Sequence, residues 1–329
     1  MASPRRRLAA VLAIALPGFL VGLSVQFSLA VLASSTAVGS NTFTTAAEWD
    51  TVAPTVSAPV IAKTGQYLAS YVKQGGSYYV YASATDAGTP TSGIATITAD
   101  VSAITTGQTA VPLAAGSYTV EGVTYGYRSA SVTVDASLSA GSKSYTLTST
   151  DNWANSRFQT GYTVTVDNTA ATGSDIQCVN GGATVGTVEL GDVCTFTFSE
   201  IIDPESILAG WTGTSANVVV RITNTGSSDH LAVWNAANTS QLNLGSVNMK
   251  GNYVTTDVTA GTIGTASTMV LNAAARTITV TLGTIAGSVV NDSNNNTSAW
   301  SPSASAFDRA GNAMSTTTAN ESGTADKDF

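Results

Sequence analysis

Apolar and polar residues alternate in short runs along most of this chain. Tyr78-Tyr79-Val80-Tyr81-Ala82, Ile94-Ala95-Thr96-Ile97-Thr98-Ala99 and Tyr118-Thr119-Val120 show the pattern. So do Ser131-Val132-Thr133-Val134, Tyr145-Thr146-Leu147-Thr148 and Tyr162-Thr163-Val164-Thr165-Val166. A period of two puts alternate side chains on opposite faces of a strand. Gly75-Gly76, Asp86-Ala87-Gly88, Ala115-Gly116-Ser117 and Ala140-Gly141-Ser142 separate these runs as turns. Short strands at roughly ten-residue spacing predict a sandwich or barrel. No apolar stripe of helical period is visible, so a parallel sheet with crossover helices is not expected.

The pattern continues in the second half. Cys194-Thr195-Phe196-Thr197-Phe198, Val218-Val219-Val220-Arg221-Ile222 and His230-Leu231-Ala232-Val233-Trp234 read as strands. Thr268-Met269-Val270-Leu271 and the run from Arg276 to Leu282 do too, and Asn291 to Asn296 reads as a polar loop. One helical turn is expected after the first of these strands. Asp203 is placed to cap it, Pro204 takes its first position, and Gly210 is the stop.

Two short motifs occur twice. Asp151-Asn152-Trp153-Ala154-Asn155 closes the first half, and Asp308-Arg309-Ala310-Gly311-Asn312 closes the second. Asp50-Thr51-Val52-Ala53-Pro54-Thr55 precedes the first half, and Asp167-Asn168-Thr169-Ala170-Ala171-Thr172 precedes the second. A recurring linker and a recurring turn predict tandem domains of one type. The expected organisation is a leader over 1–33, a linker over 34–49, and β-sandwiches over 50–168 and 174–329.

These motifs resemble the bacterial immunoglobulin-like repeats of secreted and cell-surface proteins. Those repeats carry Asp-x-x-Gly-Asn before a final strand, followed by Asp-x-Thr-x-Pro. Ala154 stands where the family prefers Gly, and Ala171 stands where Pro54 stood. The run from Phe196 to Pro204 looks like the "strand, Ser-Glu, Asp-Pro" signature of another branch of these domains. The resemblance covers residues 50–329. It implies an all-β fold of two tandem immunoglobulin-like sandwiches, and it names no ligand. Separately, Ser40-Asn41-Thr42-Phe43-Thr44-Thr45 is similar to the mature start of camelysin-like fibre subunits, whose N-terminal strand can complete a neighbour's sheet.

Composition fits an exported β protein. Charged residues make up only 10% of the 329-residue chain, against about 25% on average. At 43% hydrophobic, the chain can build real cores rather than remain disordered. There are 21 acidic and 13 basic residues. No basic cluster suits a phosphate backbone, so nucleic acid is a poor partner. Arg5-Arg6-Arg7 followed by the apolar stretch Leu8 to Leu23 reads as a secretory signal peptide, with small residues at Ala30 and Ala33 for cleavage. Left uncleaved, it is long enough to anchor the chain in a membrane. Export and an even cysteine count predict one disulfide, Cys178 with Cys194.

Candidate chemistry is sparse. Asp151, Asn155, Asp308 and Asn312 suit Asx-type turns, with calcium as the sharper alternative because carboxylates and amide carbonyls are its ligands. Glu200, Asp203 and Glu205 form the densest acidic cluster. Paired carboxylates can hydrolyse glycosides, but a capped helix start explains these better. Tyr79, Tyr81, Tyr125 and Tyr127 could stack on sugar rings if exposed, or build core and cross-strand pairs if not. Trp153, Trp211, Trp234 and Trp300 are expected as core anchors. The lone His230 and two isolated cysteines do not make a zinc site. No phosphate loop or nucleophile elbow is present. The sequence therefore predicts a non-enzymatic, secreted or cell-surface structural or adhesive protein without a required cofactor. Its partner would be an extracellular protein or glycan. The alternatives are a carbohydrate-binding accessory protein and a fibre subunit that assembles through residues 40–48.

Overall fold

The computed structural model describes residues 49–63 and 69–329. The leader, the linker up to residue 48 and the proposed assembly strand 40–48 lie outside these residues. The described chain is all-β, and its one α-helix is a single turn.

The first body contains β1 (Thr55–Lys63), β2 (Tyr71–Val72), β3 (Ser77–Thr85), β4 (Ile94–Asp100) and β5 (Val111–Val120). It continues with β6 (Val123–Ser129), β7 (Val132–Thr133), β8 (Gly141–Asp151) and β9 (Ser156–Val166). Its strand order is β1-β3-β6-β5-β4-β8-β9-β2, with β7 beside β3. β5 makes the corner. Val111 and Pro112 pair with β4, while Leu113 to Val120 pair with β6. The sheet folds there into two layers. Tyr78, Val80 and Ala82 of β3 meet Ile97, Leu147 and Val164 between them. That is the alternation read from sequence, turned inward.

The open seam between β1 and β9 is closed by a side chain. Val56 N donates to Gln159 Oε1 at 2.7 Å, and Gln159 Nε2 donates to Val56 O at 2.9 Å. One amide thus satisfies both backbone groups of a residue at a sheet edge, as a neighbouring strand would.

The second body contains β10 (Gly173–Val179), β11 (Val193–Phe198), α1 (Pro204–Ile207), β12 (Ala216–Thr223), β13 (His230–Asn235) and β14 (Gln241–Asn248). It continues with β15 (Val258–Ala260), β16 (Ser267–Asn272), β17 (Thr277–Thr281), β18 (Ile285–Ala286), β19 (Ala299–Ser301) and β20 (Ala319–Asn320). The main order is β10-β11-β17-β16-β12-β13-β14-β19-β20. The fully buried Trp300 takes Phe196 and Phe198 edge-on, at 5.2 and 5.0 Å between ring centroids. Its indole N–H donates to Leu244 O at 2.6 Å, so the largest core side chain leaves no polar atom unpaired. Gly173 lies against this indole. A Cβ there would stand 2.8 Å from it.

The two cores meet no common cluster. One spans Val56 to Val166 and the other begins at Ala171. The change falls inside the repeated linker. Cys178 and Cys194 face each other across β10 and β11 and are joined by a disulfide. α1 begins as its sequence implies, with the Asp203 carboxylate accepting from Glu205 N at 3.1 Å and Pro204 in the first turn. It ends at Ile207, before Gly210, because Leu208 is already extended.

Candidate functional site

The repeated motifs converge in space. At the end of β8, Asp151 Oδ1 accepts from Trp153 N and Asn155 N, both at 2.8 Å. Asn155 Nδ2 donates to Asp151 Oδ2 at 2.7 Å and to Asp50 O at 2.9 Å. Asp50 opens the first linker motif. The second body repeats the device. Asp308 Oδ1 accepts from Ala310, Gly311 and Asn312 amides at 2.7–2.9 Å. Asn312 Nδ2 donates to Asp308 Oδ2, and to Asp167 O at 2.9 Å and Thr169 O at 3.2 Å. Each turn therefore clamps the backbone of the linker that leads into its own body. The fourth turn position needs a left-handed backbone: φ is +66° at Ala154 and +94° at Gly311. That is the physical reason for Gly at this place, and Ala154 carries strain there.

The clamps also gather acids. Asp50, Asp86 and Asp151 bring carboxylate oxygens within 4.8 Å of one another, and so do Asp167, Glu200 and Asp308. The two sets occupy matching places in the repeats, yet their electrostatics differ. The Asp50 carboxyl is held low, first by the Val52 amide. Burial pushes Asp151 up, but the bonds from Asn155 and Trp153 prevail and its carboxyl lies below the usual range. In the second set burial prevails. It raises Asp308, with Asp167 adding to the rise, and pushes Glu200 up to about 7, helped by Asp167 and Asp308. Arg309 opposes the rise at Glu200.

Three carboxylates at this span suit a hard cation with oxygen ligands. The first set carries a mark of unmet demand, since Asp86 Oδ1 is buried and has no hydrogen-bond partner. The second already faces a guanidinium. Where the sequence named Asp151, Asn155, Asp308 and Asn312 for calcium, the geometry gives both asparagines another task through their N–H donors. The other acids, Asp50, Asp86, Asp167 and Glu200, were not named as ligands. Their signal was the repeat itself, which puts Asp50 and Asp167 at matching positions.

Contacts across the linker join the two bodies. Lys63 of β1 pairs with Asp203, the cap of α1, and this is the one ion pair among the described residues. The Arg309 guanidinium stacks 3.5 Å over the Tyr71 ring. The Glu200, Asp203 and Glu205 cluster is thus divided among three tasks: Glu200 faces the linker, Asp203 caps a helix and pairs with a lysine, and Glu205 sits in the first turn.

The tyrosine row does not form an open stacking face. Tyr81 and Tyr125 are buried in a small secondary cluster with Ala62 and Val120, while Tyr79 and Tyr127 are half-buried. Arg128 lies between Tyr79 and Tyr118, 4.5 and 4.4 Å from their centroids. The alternation did place Tyr79 and Tyr81 together, but the layer beyond them is protein. Trp211 and Trp300 are core residues. Trp153 is not: it is 45% exposed and packs edge-on against the exposed Trp49 at 4.3 Å. Its turn points outward, which the composition of the turn did not reveal. Trp234 is half-buried beneath Arg221, whose guanidinium lies 3.5 Å from the ring. Comparison with protein-family models and with curated proteins returns no match to this chain.

Proposed function

We propose that this is a non-enzymatic, secreted or cell-surface protein, structural or adhesive, in which two immunoglobulin-like sandwiches are held in series. The observation that carries the reading is the duplicated clamp: Asn155 on the Asp50 carbonyl, and Asn312 on those of Asp167 and Thr169. A linker fixed by its own domain transmits position and force, whereas a free linker of this length would behave as a coil. The clamp closes through hydrogen bonds between each turn and its own linker. The carbohydrate-binding alternative loses its main support with the burial of Tyr81 and Tyr125.

Pulling the full chain by its two ends in a single-molecule force experiment checks the proposal. Two unfolding steps are expected. Asn312→Ala removes the bonds to both linker carbonyls and should cost about 1–3 kcal/mol, lowering the force of the second body's step and leaving the first unchanged. A single weak step, or catalytic turnover by the purified chain, contradicts it.

A further inference from the structure

At the far end of the sequence, Glu321, Asp326 and Asp328 bring carboxylate oxygens within 4.8 Å of one another. Asp328 is completely buried and Glu321 nearly so, while Asp326 is exposed. Carboxylates are rarely buried without a partner, because losing water penalises the charged form. The surroundings fix Asp328 through one oxygen only. Tyr253 Oη donates to Asp328 Oδ2 at 3.3 Å, and Ser298 Oγ donates to it at 3.0 Å. The other oxygen, Oδ1, is buried and receives no N–H or O–H from the surrounding residues, and the Glu321 carboxyl lies within hydrogen-bonding reach of the Asp328 carboxyl. Glu321 is oriented in turn, since Ser298 N donates to its Oε2 at 2.8 Å. Asp326 is placed by a backbone bridge to Asn296, with bonds of 2.7 and 3.2 Å. Two of the carboxylates are thus held by hydrogen bonds to groups behind them, as ligand shells of bound metals are, and the third is placed by its backbone.

No lysine or arginine among the described residues forms an ion pair with these acids. Lys327 sits between two of the acids in sequence but joins no ion pair among the described residues. A further acid, Asp175, is close enough to act on Glu321 and adds to the negative charge.

We propose that Glu321, Asp326 and Asp328 form a divalent-cation site selective for calcium. The donors are all oxygen, the hard-ligand set of that ion. Oxygens that all lie within 4.8 Å of one another can share one Ca²⁺, since two ligands at its usual bond lengths of about 2.4 Å stand no further apart than that. Asp328 Oδ1 supplies the inner ligand, Glu321 the second, and the exposed Asp326 the rim through which the ion and its waters enter. Magnesium binds more weakly, since it demands near-ideal octahedral geometry and sheds water reluctantly. Bound calcium ties Asp326 and Asp328 to Glu321, just after β20, beside the edge-on packing of Phe329 on Tyr253 at 5.1 Å between centroids.

Terbium luminescence on the full chain tests this. Tyr253 touches Asp328 and so should sensitise Tb³⁺ bound here. Emission should be quenched by Ca²⁺ with a Kd of about 0.1–1 mM, the range of extracellular calcium modules, and much less effectively by Mg²⁺. Asp328→Asn, and Asp326→Asn on the exposed rim where folding is not at risk, should each weaken Ca²⁺ at least tenfold. Asp308→Asn, in the linker cluster, should leave this signal unchanged, and Tyr253→Phe should dim it without altering affinity for Ca²⁺. If Ca²⁺ competes equally well in both Asp326→Asn and Asp328→Asn, or if wild-type protein gives no sensitised emission, the site is not a cation site. The buried carboxyls then share a proton instead.

Discussion

At the residue scale, Ala154 is the informative position. It adopts φ +66° where the second turn has Gly311. A left-handed alanine costs about 1–2 kcal/mol, and part of that is offset because glycine loses more backbone freedom on folding. Ala154→Gly should therefore stabilise the first body by about 0.5–1 kcal/mol, measurable as a higher midpoint in urea. An unchanged or lower midpoint would mean that the clamp, not the backbone, absorbs the strain. The same change is impossible to improve at Gly311, and there the reverse substitution should destabilise.

At the element scale, both bodies solve the problem of an open sheet edge with polar side chains. Gln159 replaces a strand beside Val56 in the first body. In the second, Asp175 accepts from Ser322 N at 2.8 Å, and Gln177 Nε2 donates to Ser322 O at 2.9 Å, so the segment after β20 is stitched to β10. Exposed edges invite pairing with other chains, and such stitches blunt them. The disulfide reinforces the same region. It joins β10 to β11 with a sequence separation of 16 residues, both sulfur-bearing residues being buried. For a loop of that size the chain-entropy model gives about 3 kcal/mol. Replacing both cysteines with alanine should lower stability by about that amount in chemical denaturation, with the effect confined to the second body. A loss under about 1 kcal/mol would show that the buried Asp192 already orders the loop through its bonds from Gly181, Gly182 and Glu189 amides.

At the scale of the whole molecule, the acids that face one another across the linker make stability depend on pH. Burial, with Asp167 and Asp308 close by, raises Glu200 from 4.5 to about 7. Between those values the folded state holds a proton that the unfolded state has released. The stabilisation is complete below about 4.5 and is lost as pH rises through about 7. In chelator, Glu200→Gln should therefore melt like the wild type at pH 5 and at a higher temperature than the wild type at pH 8. An equal difference at both pH values would refute the shift. Asp50 and Asp151 run the other way, and their contribution disappears only on acidification below the ordinary aspartate range.

The sequence by itself determined the all-β class, most strand positions, the start of α1, the cysteine pairing and the places of the two turns. All of these follow from local causes: period-two alternation, turn residues, a proline after a capping aspartate, and an even cysteine count. β1, β6, β10 and β14 were not legible, nor were the short β2, β15, β18, β19 and β20. A left-handed Ala58 and Pro59 interrupt β1, glycines interrupt β6 and β14, and strands of two or three residues are too short to show a period. Only the tertiary structure decided that Asn155 and Asn312 reach back to a linker about 105 and 145 residues earlier in the chain. It also decided that the tyrosine row is covered, and that the carboxylates of Glu321, Asp326 and Asp328 come together. Those outcomes depend on which faces meet once the sheets fold over, and no local pattern encodes that.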